Sequence, residues 1–153
     1  MKVRTANPAD LDAILDMRMA LFEESGDRMS PAEREEVLQA NETYFNCRSN
    51  DYRTWVAVED EQVVGVGTLA FFFRPPYPGN LAGKEAYLLN MYTRPKHRGR
   101  GIAKAVLNEA LTYAKEGGFG KVWLHATAAG RPIYEANGFS PVASYMERNP
   151  GDA

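Results

Sequence analysis

The order of elements between residues 85 and 126 constrains the fold more than any other part of the chain. EAYLLNMYT, residues 85–93, has the aromatic and apolar content of a strand, and KVWLHA, residues 121–126, has the same character. Between them, residues 101–116 repeat apolar side chains at helical spacing. A strand, a helix and a second strand in this order predict a crossover that places the two strands side by side in parallel.

The remaining segments extend this pattern on both sides. Pro8 is expected to open one helix, and Ser30 to cap a second that begins at Pro31. Residues 52–60 and 61–74 predict a hairpin, and the proline-rich residues 74–84 predict a loop. Strands are also expected at residues 2–6 and 139–148, and a short helix at 130–138. The chain is therefore predicted to be an α/β protein.

Size and composition favour one domain over residues 1–153. The chain has 44% hydrophobic and 25% charged residues, which is ordinary globular composition. Cys47 is the single cysteine, so no internal disulfide can form. No signal peptide and no membrane span are expected, and the predicted location is cytoplasmic.

Positive charge is concentrated just before the crossover helix. Five Lys or Arg residues and no acidic residue lie from Arg94 to Lys104, although the formal net charge of the chain is −2. Gly99 and Gly101 let the backbone approach a ligand closely, and the first turn of a helix offers unpaired N–H groups to an anion. This combination favours a diphosphate. The GxxxxGK[ST] and GxGxxG patterns of nucleotide-binding loops are absent.

These residues resemble a known family. MYTRPKHRGRGIA, followed by a helix, the VWLHA strand and PIYEANGF, is similar to the acetyl-CoA-binding core of the GCN5-related N-acetyltransferases. The family signature Arg/Gln-x-x-Gly-x-Gly/Ala is matched by residues 98–103, and the resemblance covers roughly residues 85–142. It implies a mixed, mostly antiparallel sheet of about six to seven strands, about four flanking helices, and a splayed parallel strand pair that holds the cofactor.

The resemblance also implies where acetyl-CoA is held. The signature amides would bind the pyrophosphate, and the end of the preceding strand would hydrogen-bond the pantetheine arm. The cofactor-binding residues implied are Met91, Tyr92, Thr93, Arg98, Gly99, Arg100, Gly101, Ile102 and Ala103. Tyr134 matches the tyrosine that lies near the sulfur of CoA in family members, where it would protonate the departing thiolate. No metal is expected.

An amine acceptor has to lose a proton before it attacks. His125 is the first candidate base, because some family members that acetylate protein N-termini have a catalytic glutamate at the matching position and imidazole is a competent base near neutral pH. Glu23, Glu24 and Glu85 are alternatives. The segment 126–132, ATAAGRP, is shorter than the family form whose asparagine contacts the cofactor, so that contact is not carried over.

The acceptor is expected between the N-terminal part, residues 1–50, and the proline-rich loop. The substrate-binding candidates are Phe22, Glu23, Tyr77 and Asn90, and the acidic ones favour a cationic amine. The acceptor would be a small molecule or a peptide, and the resemblance leaves a homodimer open.

Two other functions compete with an enzyme. A non-catalytic acyl-CoA-binding or regulatory domain would keep residues 98–103 and show no turnover. A nucleic-acid-binding module would use the same basic helix terminus, but the net charge of −2 disfavours it. Neither nucleic acid nor a membrane is expected as a partner.

Overall fold

In the computed structural model, which describes residues 1–151, five strands form one mixed sheet in chain order. The strands are β1 (Lys2–Thr5), β2 (Tyr52–Glu59), β3 (Gln62–Phe73), β4 (Lys84–Thr93) and β5 (Lys121–Trp123). The helices are α1 (Leu11–Glu24), α2 (Pro31–Cys47), α3 (Ile102–Glu116) and α4 (Arg131–Ala136), with short 3-10 turns at Pro8–Asp10 and Pro95–His97. The predicted α/β fold and its helices are confirmed.

The predicted crossover is also present. β4 and β5 pair in parallel from Glu85 opposite Lys121 to Tyr87 opposite Trp123, whereas the other neighbouring strands are antiparallel. Because β5 ends at Trp123 while β4 continues to Thr93, the two strands separate after three paired residues. Within residues 1–151, the second half of β4 therefore has no strand beside it on that side.

The sheet has five strands in the described residues, rather than six to seven. Residues 139–149 form no regular structure, so the strand expected at 139–148 is wrong, and β5 stops three residues short of the expected end at 126. Pro141 cannot donate to a strand ladder, and the three residues of β5 offer only a short edge for pairing. The last stretch of the chain therefore carries exposed apolar side chains, Val142, Tyr145 and Met146.

Hydrophobic clusters cover both faces of the sheet. On one face, α3 buries Ile102, Val106 and Leu107 against residues of β2, β3 and β4. On the other face, Ile14, Leu15 and Met17 of α1 and Phe45 of α2 pack on Val56, Val66 and Tyr92. The N-terminal helices and α3 thus lie on opposite sides of the sheet, and both contact β3 and β4.

Local sequence signals set two of the boundaries. Ser30 and Glu33 form a reciprocal capping box at the start of α2, with Pro31 in the first helical position as predicted. The β2–β3 hairpin turns at Asp60 (φ 48°) and Glu61 (φ 62°), so both residues adopt the left-handed conformation that a tight hairpin requires. None of the helices within residues 1–151 combines the length and apolar character needed to cross a bilayer.

Candidate active site

A cleft of about 810 Å³ opens where β4 and β5 separate. Residues 88–93 of β4 form its floor, and the segment from His125 to Tyr134 forms one wall. The loop and first turn of α3 close one end. The other end, called here the α1 end, is lined by Arg18, Leu21, Phe22 and Tyr87. The splay of the two strands is thus what creates the site.

The α3 end of the cleft presents free backbone amides. Gly101 precedes the helix with φ 79° and no side chain caps it. In the described residues, the N–H groups of Gly99, Gly101, Ile102 and Ala103 donate to no acceptor. Around Gly99 (φ 73°) and Gly101, no atom lies within 4 Å of where a Cβ would stand. The result is an open anion cradle at a helix N-terminus.

The arginines beside this cradle are paired with carboxylates. Arg98 Nη2 lies 2.8 Å from Glu24 Oε2, and its Nε donates to the Thr93 carbonyl oxygen at 2.9 Å. Arg100 makes two hydrogen bonds, of 3.0 and 2.6 Å, to the carboxylate of Glu59. These side chains anchor the loop to α1 and to the β2–β3 hairpin. The anion-binding capacity of the cradle therefore comes chiefly from its amides.

A bulge in β4 places Asn90 in the floor of the cleft. Val66 is opposite Tyr92 and Thr68 is opposite Leu89, so one residue of β3 faces both Asn90 and Met91. Asn90 has φ 56° and is only 3% exposed, and neither polar atom of its side chain has a hydrogen-bond partner in the described residues. A buried amide without partners is costly unless a ligand completes it.

His125 follows β5 and is held by an aromatic neighbour. Its Nδ1 lies 2.6 Å from the Tyr87 hydroxyl oxygen, and its ring also contacts Trp123 and Tyr145 edge-on. If Nδ1 carries the hydrogen and donates a hydrogen bond to the Tyr87 oxygen, the other ring nitrogen, Nε2, carries no hydrogen and can accept a proton. The contact with Tyr87 thus decides whether His125 can act as a base.

Tyr134 lies on α4 with its ring packed edge-on against Phe139 and lines the cleft. Its hydroxyl has no hydrogen-bond partner within residues 1–151. Burial raises the pKa of Tyr134 above the usual value for tyrosine. The phenol therefore keeps its proton at neutral pH and is available as a donor.

The structure brings most of the sequence candidates to this cleft. Those lining it are Phe22, Asn90, Met91, Tyr92, Thr93, Arg98, Gly99, Gly101, Ile102, Ala103, His125 and Tyr134. Three candidates do not line it. Arg100 turns to Glu59, Glu23 pairs with Arg34 at 2.8 Å, and Tyr77 donates a hydrogen bond of 2.6 Å to Glu85.

The alternative bases are less well placed than His125. Glu85 is completely buried beneath the 74–83 loop, with Tyr77 donating to one oxygen and Arg74 Nε 3.1 Å from the other, and it does not line the cleft. Glu24 lines the cleft, but the hydrogen bonds from Arg98 and then Tyr92 lower its pKa. A carboxylate with a lowered pKa is a weaker base.

Sequence reasoning missed two residues of the α1 end, Arg18 and Tyr87. Arg18 lies one helical turn before Phe22, so the spacing of four residues places both on the same face of α1. Tyr87 lies within an apolar strand segment, and there the sequence does not distinguish a side chain that faces a cleft from one that faces the core. Within residues 1–151, no group of three His, Cys, Asp or Glu side chains is arranged to hold a metal ion.

Comparison with sequence families gives a match over most of the chain. A model described as the acetyltransferase (GNAT) family matches residues 11–139. N-acetyltransferase 8B of Rattus norvegicus is 30% identical over 115 residues, which cover 72% of this chain and 49% of that protein. N-acetyltransferase 8 of Homo sapiens is 33% identical over 108 residues, covering 68% of this chain and 44% of that protein. The chain spans about half the length of these curated relatives.

Solved structures match over nearly the whole chain. A protein described as a predicted acetyltransferase from Clostridium acetobutylicum, solved with acetyl-CoA, has 31% identity and a TM-score of 0.84, and the match covers 97% of this chain and 95% of that one. A GCN5-related N-acetyltransferase from Ralstonia eutropha has 29% identity and a TM-score of 0.86, covering 98% and 99%.

Proposed function

The chain belongs to the acetyltransferase (GNAT) family, and from this premise we propose that it transfers an acetyl group from acetyl-CoA to a primary amine by direct attack in a ternary complex. One observation carries the proposal. The free amides of residues 99–103 lie at one end of a cleft that runs to His125 and Tyr134 along the stretch of β4 that β5 does not pair with.

The residues present fit acetyl-CoA. The open space around Gly99 and Gly101 leaves room for a diphosphate against the amides, with Ile102 and Ala103 in the first turn of α3 adding two more donors. The second half of β4, from Met91 to Thr93, has an edge free to hydrogen-bond an extended arm. When bound, acetyl-CoA supplies an activated acetyl thioester.

His125 is assigned the role of base. The amine nitrogen forms a bond to the acetyl carbon and gives up a proton to His125 Nε2, while Tyr87 holds Nδ1. The geometry needs the tautomer in which Nδ1–H donates to the Tyr87 oxygen. Removal of this proton matters because an unperturbed alkylammonium is almost entirely protonated at neutral pH.

Tyr134 is assigned the role of acid. As the bond between acetyl carbon and sulfur breaks, the Tyr134 hydroxyl donates a proton toward the sulfur, and its raised pKa keeps that proton in place until it is needed. A backbone amide at Met91 or Tyr92, beside the β4 bulge, polarises the acetyl oxygen. Asn90 offers its unpaired side-chain amide to either substrate.

The direct test is turnover with a panel of primary amines. Mixing protein, acetyl-CoA and each amine should release CoA thiol and yield an acetylated product by mass spectrometry. Because Cys47 is an exposed free thiol that reacts with thiol reagents, the assay uses Cys47→Ser with the wild-type protein as its control. Tight acetyl-CoA binding without turnover on any amine would favour the non-catalytic acyl-CoA-binding domain instead.

The identity of the donor and acceptor, a cytoplasmic location and a homodimer remain predictions. So does a single domain over residues 1–153, in which residues 1–50 serve the acceptor and residues 85–142 hold the cofactor.

A further inference from the structure

Arg18 is a cation of the cleft that pairs with no carboxylate among residues 1–151. Its Nε donates to Asn41 Oδ1 on α2, and its guanidinium carbon lies 4.7 Å from the centre of the Phe22 ring. In the part of the chain that the structure describes, no aspartate or glutamate forms an ion pair with it. Asn41 is fixed in turn by donating to the Val37 carbonyl oxygen at 2.8 Å. The guanidinium is thus held in place through Nε, and no described residue accepts a hydrogen bond from its other N–H groups.

Burial makes this unpaired charge costly. Desolvation lowers the pKa of Arg18, although an arginine side chain stays protonated in proteins. The other cation of the cleft, Arg98, is matched by Glu24 at 2.8 Å. Among the arginines that line the cleft, Arg18 is therefore the one whose charge no carboxylate of residues 1–151 matches, and an anion placed there would recover the lost solvation.

The sequence suggested an acidic acceptor site, but the structure changes the charge balance. Glu23 pairs with Arg34 and Glu85 is buried beneath a loop, so neither contributes a carboxylate to the cleft. Tyr87 is in hydrogen-bond contact with His125, and Arg18 lines the same cleft as both of them. A small molecule bound to Arg18 would therefore share the cleft with the base.

We propose that the acceptor is an amine that also carries an oxyanion, a carboxylate or a phosphate, and that Arg18 binds this oxyanion while the amine faces His125. The inference rests on the proposed acetyl transfer and names its substrate class. A guanidinium suits this role because its planar set of N–H donors can bind two oxygens of one oxyanion. Phe22 and Leu21 supply an apolar surface beside it.

Matched amine pairs test the proposal without any variant. Linear amino carboxylates are compared with alkylamines of equal length, and aminoethyl phosphate with ethanolamine. The oxyanion member of at least one pair should have a kcat/KM about 10- to 100-fold higher, as expected for charge-assisted hydrogen bonds. The pair with the larger ratio identifies carboxylate or phosphate as the natural group.

Arg18→Met then separates a specific contact from a structural one. It keeps an unbranched stem against Phe22 but removes the charge, so KM for the oxyanion amines should rise about 10- to 100-fold while neutral amines change less than about twofold. Arg18→Lys keeps the charge without the planar donors and should recover part of the loss. Calorimetric titration of the same amines into the CoA-bound protein should show the same order of affinities.

Arg53→Met is the matched control. Arg53 also lies 4.7 Å over an aromatic ring, that of Tyr113, but outside the cleft, so this variant should leave every KM unchanged. Equal kcat/KM for charged and neutral members of every pair would overturn the inference and leave acetyl transfer standing. Absence of turnover with all amines would instead overturn the proposed function.

Discussion

Tyr134 combines a half-buried ring with a hydroxyl that makes no hydrogen bond to another described residue. If it donates the proton to the departing sulfur, Tyr134→Phe should lower kcat about 100-fold, the lower end for a general acid, and leave acetyl-CoA affinity within about twofold. Steady-state kinetics and calorimetry measure the two quantities. Tyr113→Phe, on α3 outside the cleft, should have wild-type kinetics. Unchanged turnover in Tyr134→Phe would make Tyr134 a packing residue.

His125 and Tyr87 act as a pair, so two variants distinguish their roles. If His125 removes the amine proton, His125→Ala should lower kcat/KM about 100-fold, the lower end for loss of a general base, and leave acetyl-CoA affinity within about twofold. Tyr87→Phe removes the hydrogen bond to Nδ1 but keeps the imidazole, so it should lower kcat/KM by less than His125→Ala does. Wild-type kcat/KM in His125→Ala would assign the proton to Glu24 or to water.

Individual elements differ in how far their sequence determines them. The capping box of α2, the hairpin at Asp60 and Glu61 and the glycine-rich start of α3 rest on residues close together in the chain, and all three were predictable. The bulge at Asn90 was not, because it depends on how β3 and β4 align, and only the tolerance of asparagine for positive φ hinted at it. The strand predicted at residues 139–148 was wrong for a similar reason, because a strand needs a neighbouring strand to pair with and amino-acid composition does not show whether one is available.

The start of the first helical segment is tied to β1 by a partly buried ion pair. Asp10 is 6% exposed, and it accepts hydrogen bonds from Arg4 at 2.7 and 3.0 Å and from the Asn7 amide at 2.8 Å. The hydrogen bonds from Arg4 are the main reason that the pKa of Asp10 lies below its usual value. Folding is therefore favoured by the ionised form of this carboxyl.

Asp10→Asn should consequently cost about 1–3 kcal/mol of unfolding free energy at neutral pH. The contribution is complete above the unfolded pKa of about 3.9 and disappears as pH falls through the lower folded pKa, so the two proteins should converge in acid. Urea unfolding at several pH values measures the difference. Asp12→Asn, exposed in the first turn of α1, should change stability by less than about 0.5 kcal/mol. A pH-independent loss in Asp10→Asn would contradict the ion-pair account.

At the scale of the whole molecule, the site depends on helices from both faces of the sheet meeting at one strand. α1 contributes Arg18, Phe22 and Glu24, α3 contributes its free amides, and β4 passes between them. The sequence predicted the α3 end because its glycines and signature lie in one contiguous run. At the α1 end it predicted Phe22 but missed Arg18 and Tyr87, which are 69 residues apart and which only the folded chain brings together.

If the α3 cradle binds the diphosphate, acetyl-CoA should stabilise the folded chain as a whole. At about 100 times its Kd, a ligand adds about 2.7 kcal/mol, which for a domain of this size corresponds to a rise in Tm of about 5–11 °C. Gly101→Glu places a carboxylate in the open space of the cradle and should abolish both this rise and the calorimetric binding signal. Gly118→Glu is the matched control, because Gly118 (φ 71°) has the same open surroundings at the opposite end of α3.

Both glutamates must adopt a left-handed backbone, at a similar cost of about 1–2 kcal/mol, so the two variants should melt at similar temperatures without ligand. Only Gly118→Glu should then keep the full rise in Tm with acetyl-CoA, since its added charge lies far from the cradle. Equal rises in the two variants would mean that the diphosphate binds elsewhere. Equal loss in both would show that backbone strain in α3, rather than a charge placed in the cradle, controls binding.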